Sequence, residues 1–137
     1  MRVDKRVLLS WTGTGREFEG GLEGGPRIVV DGNSTSGPSS MDLVLTGVAA
    51  CMAIDVLVVM EKQRLPVEGL EVKAEGSRAE DYPRRYTALR LTYRLTGLEP
   101  KHRPKVERAI ELSREKYCSA LHSIRTDIPI EIVIEGV

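Results

Sequence analysis

The sequence predicts an α+β fold in which antiparallel strands pack with two unequal helices, as one domain over residues 1–137. Three observations carry that expectation. Short strand-like runs separated by Gly- and Pro-rich turns fill the chain from Val3 to Val30. A nearly unbroken apolar run follows, from Leu43 to Met60. After it come two alternating runs, a charged amphipathic stretch and a closing β-branched run.

Val3 to Trp11 reads as the first strand and ends in the turn Thr12-Gly-Thr-Gly15. Arg16 to Leu22 is the second strand, Glu23-Gly-Gly-Pro26 a turn, and Arg27 to Val30 the third strand. Asp31 to Pro38 is dense in turn formers and reads as a loop. Ser39 stands at a helix N-cap with Asp42 three residues on, in capping-box position. From Leu43 to Met60 every residue is apolar or small except Thr46 and Asp55. At 1.5 Å per residue that run is about 27 Å long, close to a membrane span. The internal Asp55, the small residues Gly47, Ala49, Ala50 and Ala53, and the lack of a flanking basic loop favour a soluble helix buried on nearly every side.

Leu65-Pro66 ends that helix. Val67 to Gly76 and Arg85 to Gly97 alternate, the latter with Leu89, Leu91, Tyr93 and Leu95 on one face. Asp81-Tyr-Pro83 joins them as a hairpin turn. Lys101 to Tyr117 is a second helix, with Val106, Ala109, Ile110 and Tyr117 at helical spacing and charges on the other face. Tyr117 to His122 is a further short helix, and Ile128 to Val133 a closing strand whose Pro129 suits an edge or a strand start. A small sheet and one amphipathic helix cannot cover a helix that is apolar all round. The sequence therefore predicts a homodimer with the long helix at its interface.

Lys plus Arg and Asp plus Glu both total 20. That balance gives no electrostatic reason to expect a nucleic-acid or anionic-membrane partner. The N-terminus, Met1-Arg-Val-Asp-Lys-Arg6, lacks an apolar signal core, which predicts a cytoplasmic protein. Two cysteines in a reducing compartment are no disulfide framework. They are far apart along the chain, with only His102 and His122 for company, so neither a zinc site nor any bound cofactor is expected. Both histidines read as exposed and non-catalytic. The glycine-rich stretches do not open helices, which argues against a nucleotide loop.

Cys51 lies mid-helix, in Ala49-Ala50-Cys51-Met52, where a free cysteine is ordinarily a small buried hydrophobe. The helix dipole does not reach it, so a reactive thiolate there needs a cation from elsewhere. Cys118, in Glu115-Lys-Tyr-Cys-Ser119, reads as structural on its own. Together the two permit a redox cycle if folding brings the sulfurs close. Asp55, one turn after Cys51 on the same face, needs a partner, expected to be an arginine or a helix cap in a structural ion pair.

The stretch Gly37-Pro-Ser-Ser-Met-Asp-Leu-Val-Leu-Thr-Gly-Val-Ala-Ala-Cys51-Met-Ala-Ile-Asp55-Val resembles the central-helix signature of the OsmC/Ohr family. Tyr117-Cys118-Ser resembles its second cysteine motif, and Val30-Asp-Gly-Asn33 and Pro83-Arg-Arg-Tyr-Thr87 also fit. The resemblance covers nearly the whole chain and is nearest to the OsmC-like, YhfA-type branch. It implies antiparallel sheets around two central helices in an intertwined homodimer, with active sites at the subunit interface. It also implies a thiol peroxidase for organic hydroperoxides, with Cys51 as peroxidatic and Cys118 as resolving cysteine. An external dithiol, in this family often lipoyl-linked, would reduce the resulting disulfide. An arginine from the N-terminal strands holds the family's thiolate, and Arg16 matches it best, with Arg27 the second choice. The family places a Glu ten residues before the first cysteine to hold that arginine. Here that position is Met41, next to Asp42. Pocket walls of Leu43, Val44, Gly47 and Val48 would favour organic peroxides. Two other readings stay open: a non-catalytic stress or small-molecule-binding protein, which Met41 favours, and a peroxide-responsive redox sensor on the same cysteines.

Overall fold

A computed structural model describes all of residues 1–137. The chain forms two compact units, Met1–Val44 and Leu45–Val137.

In the N-terminal unit three strands make an antiparallel meander: β1 (Val7–Trp11), β2 (Glu17–Leu22) and β3 (Arg27–Asp31). Trp11 faces Phe18, and Phe18 faces Val30 across the ladder. The first strand starts later than Val3, because Met1 to Arg6 pair with no strand. The 31–38 loop folds around one carboxylate. The Asp31 side chain accepts N–H bonds from Asn33 (2.9 Å), Thr35 (3.2 Å) and Ser36 (3.0 Å) and the Ser36 hydroxyl. The Ser36 and Asn33 N–H groups hold its pKa down at about 2. Helix α1 (Ser40–Lys62) then begins with the expected capping box. The Ser39 N–H donates to Asp42 Oδ2 (2.9 Å), and the Asp42 N–H donates to Ser39 Oγ (3.2 Å).

The C-terminal unit holds most of α1, a hairpin of β4 (Gly69–Arg78) and β5 (Tyr86–Thr96), helix α2 (Arg103–Leu112), short helix α3 (Ser119–His122) and β6 (Ile130–Glu135). Strand order is β4-β5-β6, so β6 is an edge strand just after Pro129. It pairs with β5 in parallel, which corrects the expectation of wholly antiparallel sheets. The cause is the connection: residues 97–129 cross over through α2 and α3 and return the chain in its original direction. The β5 alternation is as expected: Leu89, Leu91, Tyr93 and Leu95 are buried. Its other face carries Arg90 paired with Glu131 (2.7 Å) and Arg94 paired with Glu71 (2.9 Å) and Glu135 (3.2 Å).

Helix α1 is not buried on nearly every side of this chain. One row, Val48, Met52, Val56 and Met60, enters the core with Leu91, Tyr93, Leu95, Val106, Ala109 and Ile110. A second apolar row is open: Ile54 is 61% exposed, and Leu57 and Val58 are exposed beside it. By length and hydropathy alone α1 is long and apolar enough to cross a bilayer. What it packs against commits one of its faces to a protein core.

Candidate active site

Cys51 and Asp55 are i, i+4 neighbours on α1, at the border between its buried and open rows, and both are half-buried. Their partners come from the end of α2. The second helix is less regular than the sequence suggests: a 3₁₀ turn (Pro100–His102) opens it and a π-turn (Ser113–Tyr117) closes it. In the π-turn the Cys118 N–H reaches back to the Ser113 carbonyl at 2.8 Å. Tyr117 is consequently exposed, not on the apolar face of α2. Ser113 is fully buried, and its hydroxyl donates to Asp55 Oδ2 at 2.9 Å. The expected arginine or helix cap for Asp55 is replaced by this neutral hydroxyl, because the π-turn sets Ser113 against α1.

The chain leaves the π-turn extended at Cys118 (φ −72°, ψ 96°), the N-cap of α3. The Cys51 sulfur, a carboxylate oxygen of Asp55 and the Cys118 sulfur all lie within 4.8 Å of one another. Folding therefore does bring the two cysteines together. Both are free thiols, and Cys118 is wholly buried. The Cys118 thiol is pushed up to about 12, chiefly by burial. The Leu121 N–H, donating to its sulfur at 3.3 Å, works against that rise, while the neighbouring Cys51 and Asp55 add to it. His122 is exposed, and its Nδ1 lies 2.8 Å from the Cys118 carbonyl. A carbonyl only accepts, so Nδ1 carries the proton. His102 is half-buried and accepts the Glu99 N–H at Nδ1, so the expectation that both histidines are exposed holds for His122 alone.

Tyr93 also belongs to this site. Its side chain is wholly buried, and its hydroxyl has no hydrogen-bond partner. Burial raises its pKa, and the charges of Cys118 and Asp55 raise it further. Beside Asp55 opens a cavity of about 450 Å³, lined by Asp55, Val58, Val59, Lys62, Leu112 and Tyr117. The expected walls lay a turn or more earlier on the helix. Val48 cannot serve, being 2% exposed and part of the core. The cavity lies past Cys51 because the open row of α1 meets the end of α2 there.

Arg16 is exposed in the turn before β2, and Arg27 is exposed at the start of β3. Both belong to the N-terminal unit, whereas both cysteines belong to the C-terminal one. Asp42 is engaged by the cap and by the Ser34 hydroxyl, which donates to its Oδ2 at 2.8 Å. Ser113 and Tyr93 were missed by sequence reasoning. A serine at the end of a charged helix gives no local signal, and Tyr93 reads simply as one member of an apolar alternation.

The OsmC-like protein family profile matches residues 32–133, which include both cysteines. Protein YhfA of Escherichia coli K12 is 42% identical over 115 residues, covering 83% of this chain and 84% of that protein. A crystal structure of a hypothetical protein from Aquifex aeolicus VF5 superposes with a TM-score of 0.84 at 28% identity, covering 100% of this chain and 98% of that one. The organic hydroperoxide resistance protein OhrB of Bacillus subtilis superposes with a TM-score of 0.66 over 97% of this chain and 98% of its own, at 16% identity, a likeness of fold. With the profile spanning most of the chain and a curated relative this similar, the chain belongs to the OsmC-like protein family.

Proposed function

We propose that the protein is a cysteine-based peroxidase that reduces organic hydroperoxides in an antioxidant stress response. The observation that carries this reading is the approach of the Cys51 and Cys118 sulfurs, together with Asp55, to within 4.8 Å. Cys51 is the partly accessible sulfur and Cys118 the buried one with the raised pKa, which suits attack by the first and resolution by the second. The Cys51 thiolate attacks the distal peroxide oxygen. The O–O bond breaks, the alkoxide leaves and takes a proton to become the alcohol, and Cys51 becomes a sulfenic acid. The Cys118 thiol then displaces water from it and forms the disulfide. An external dithiol, lipoyl-linked or otherwise, restores both thiols and is itself oxidised to a disulfide.

Thiolate formation at Cys51 calls for a cation, and Arg16 is assigned that role, with Arg27 as its alternative. The functional form is a homodimer acting as a single-domain unit in the cytoplasm. Supporting the dimer, Val7, Leu8, Leu9, Trp11 and Ile28 of the N-terminal sheet and, in the other unit, the open row of α1 present large apolar side chains to solvent. A second copy is the partner that a chain in a symmetric oligomer always has at hand.

The test follows the loss of cumene hydroperoxide with dihydrolipoamide as reductant. Wild type turns over, Cys51→Ser does not, and Cys118→Ser is oxidised once without cycling. Full turnover in Cys51→Ser would end this reading. Arg16→Ala and Arg27→Ala, compared by the pH dependence of Cys51 alkylation, decide which arginine serves.

A further inference from the structure

We propose that the reduced cysteine pair, with Asp55, is a binding site for a zinc ion. Far apart along the chain, the two cysteines look unfit for metal. In the fold, two sulfurs and one carboxylate oxygen converge within 4.8 Å of one another. Around tetrahedral zinc, Zn–S of about 2.3 Å and Zn–O of about 2.0–2.2 Å set neighbouring ligand atoms about 3.5–3.8 Å apart. The cluster needs to contract by about 1.3 Å at most, within reach of side-chain rotation. Two thiolates exclude magnesium and calcium, and the carboxylate suits borderline zinc better than soft monovalent copper. Three protein ligands leave a fourth position for water or a small ligand, the arrangement of zinc sites that are not purely structural.

The surroundings fit the ion. The Ser113 hydroxyl already orients the Asp55 carboxylate, as outer-shell partners do in metal sites. The buried Tyr93 hydroxyl lacks a partner. Burial comes first among the causes that raise its pKa, and Cys118 and Asp55 follow, so both groups are near enough to act on it. A zinc-bound thiolate at Cys118 would be the acceptor this phenol lacks. Binding displaces one proton from each thiol, which leaves to solvent, and moves no electrons. While zinc is held, each sulfur shares its charge with the cation and attacks peroxide more slowly than a free thiolate, so the metal form is the protected, reduced form of the pair. The site needs only these side chains, so it stands or falls apart from the peroxidase reading.

The experiment uses the reduced full-length protein under anaerobic conditions. Zinc is titrated in competition with a chromophoric chelator, and cobalt in parallel as a spectroscopic probe. One zinc per chain is expected, and cobalt should give the intense visible bands of a tetrahedral site with a sulfur-to-cobalt charge-transfer band. Cys51→Ser should weaken zinc by at least about 100-fold, more than the loss of an outer-shell partner. Asp55→Asn, nearly isosteric, should weaken it at least about 10-fold, and Tyr93→Phe by about 10-fold. Circular dichroism confirms that each variant is folded. Lack of stoichiometric binding, octahedral cobalt without the sulfur band, or unchanged affinity in both Cys51→Ser and Asp55→Asn would overturn the proposal. Because no peroxide is present, peroxidase failure and zinc failure are read separately.

Discussion

At the scale of single residues the site turns on how burial divides labour between like groups. Cys118 sits under hydrocarbon with a carboxylate nearby, and its pKa of about 12 keeps it a thiol at neutral pH. In the Cys51→Ser variant, alkylation of Cys118 should be slow at pH 7 and rise about tenfold per pH unit up to pH 10 without a plateau. A plateau near pH 8, seen by mass spectrometry of the labelled protein, would contradict this. Ser113→Ala removes the hydroxyl that holds Asp55. Losing a bond to a charged group costs about 1.5–3 kcal/mol, read as a lower denaturation midpoint. Asp31 behaves in the opposite sense to Cys118. Its folded pKa lies below the unfolded value, so its stabilisation is present above about pH 4 and is lost as pH falls through about 2. Asp31→Asn should be less stable than wild type at pH 6, and the two should converge near pH 2 in acid titrations. Part of this was legible in sequence. Cys51 and Asp55 share a helix face by arithmetic alone, whereas Ser113 and Tyr93 join them through contacts between elements far apart along the chain.

At the scale of elements, α1 has two apolar rows with different fates. Met52, in the buried row, is wholly enclosed, and Met52→Ala should cost about 2–5 kcal/mol through the cavity it leaves. Ser39→Ala, at the cap, should cost about 1 kcal/mol. Urea unfolding followed by circular dichroism ranks the two, and a larger loss at the cap would contradict this account of the core. The sequence disclosed α1, its cap and the hairpin because each is a local pattern: a capping pair, an unbroken apolar run, a period of two. It did not disclose the parallel pairing of β6, since alternation carries no strand direction. Nor did it disclose the π-turn, which differs from a regular turn by one residue and leaves the apolar spacing before it intact.

At the scale of the whole molecule, the open row of α1 and the exposed apolar residues of the N-terminal sheet set the expectation for solution behaviour. Light scattering should give a mass twice that of one chain at micromolar concentration. Ile54→Glu should shift it toward the single chain, and an unchanged doubled mass would point to a contact elsewhere. Which face of α1 stays open was beyond reach from sequence, because a helix apolar all round does not declare which side its own sheet will claim.

Cys51 lies on the seam of α1, one rung from the row awaiting a companion. If the proposed dimer closes over Ile54, it also dries the sulfur. On that proposal, separating the two copies by dilution would flood the thiol's surroundings with solvent, so the proposed peroxidase activity per chain should decline as the assay is run at ever lower protein concentration, although no bond within either chain has changed.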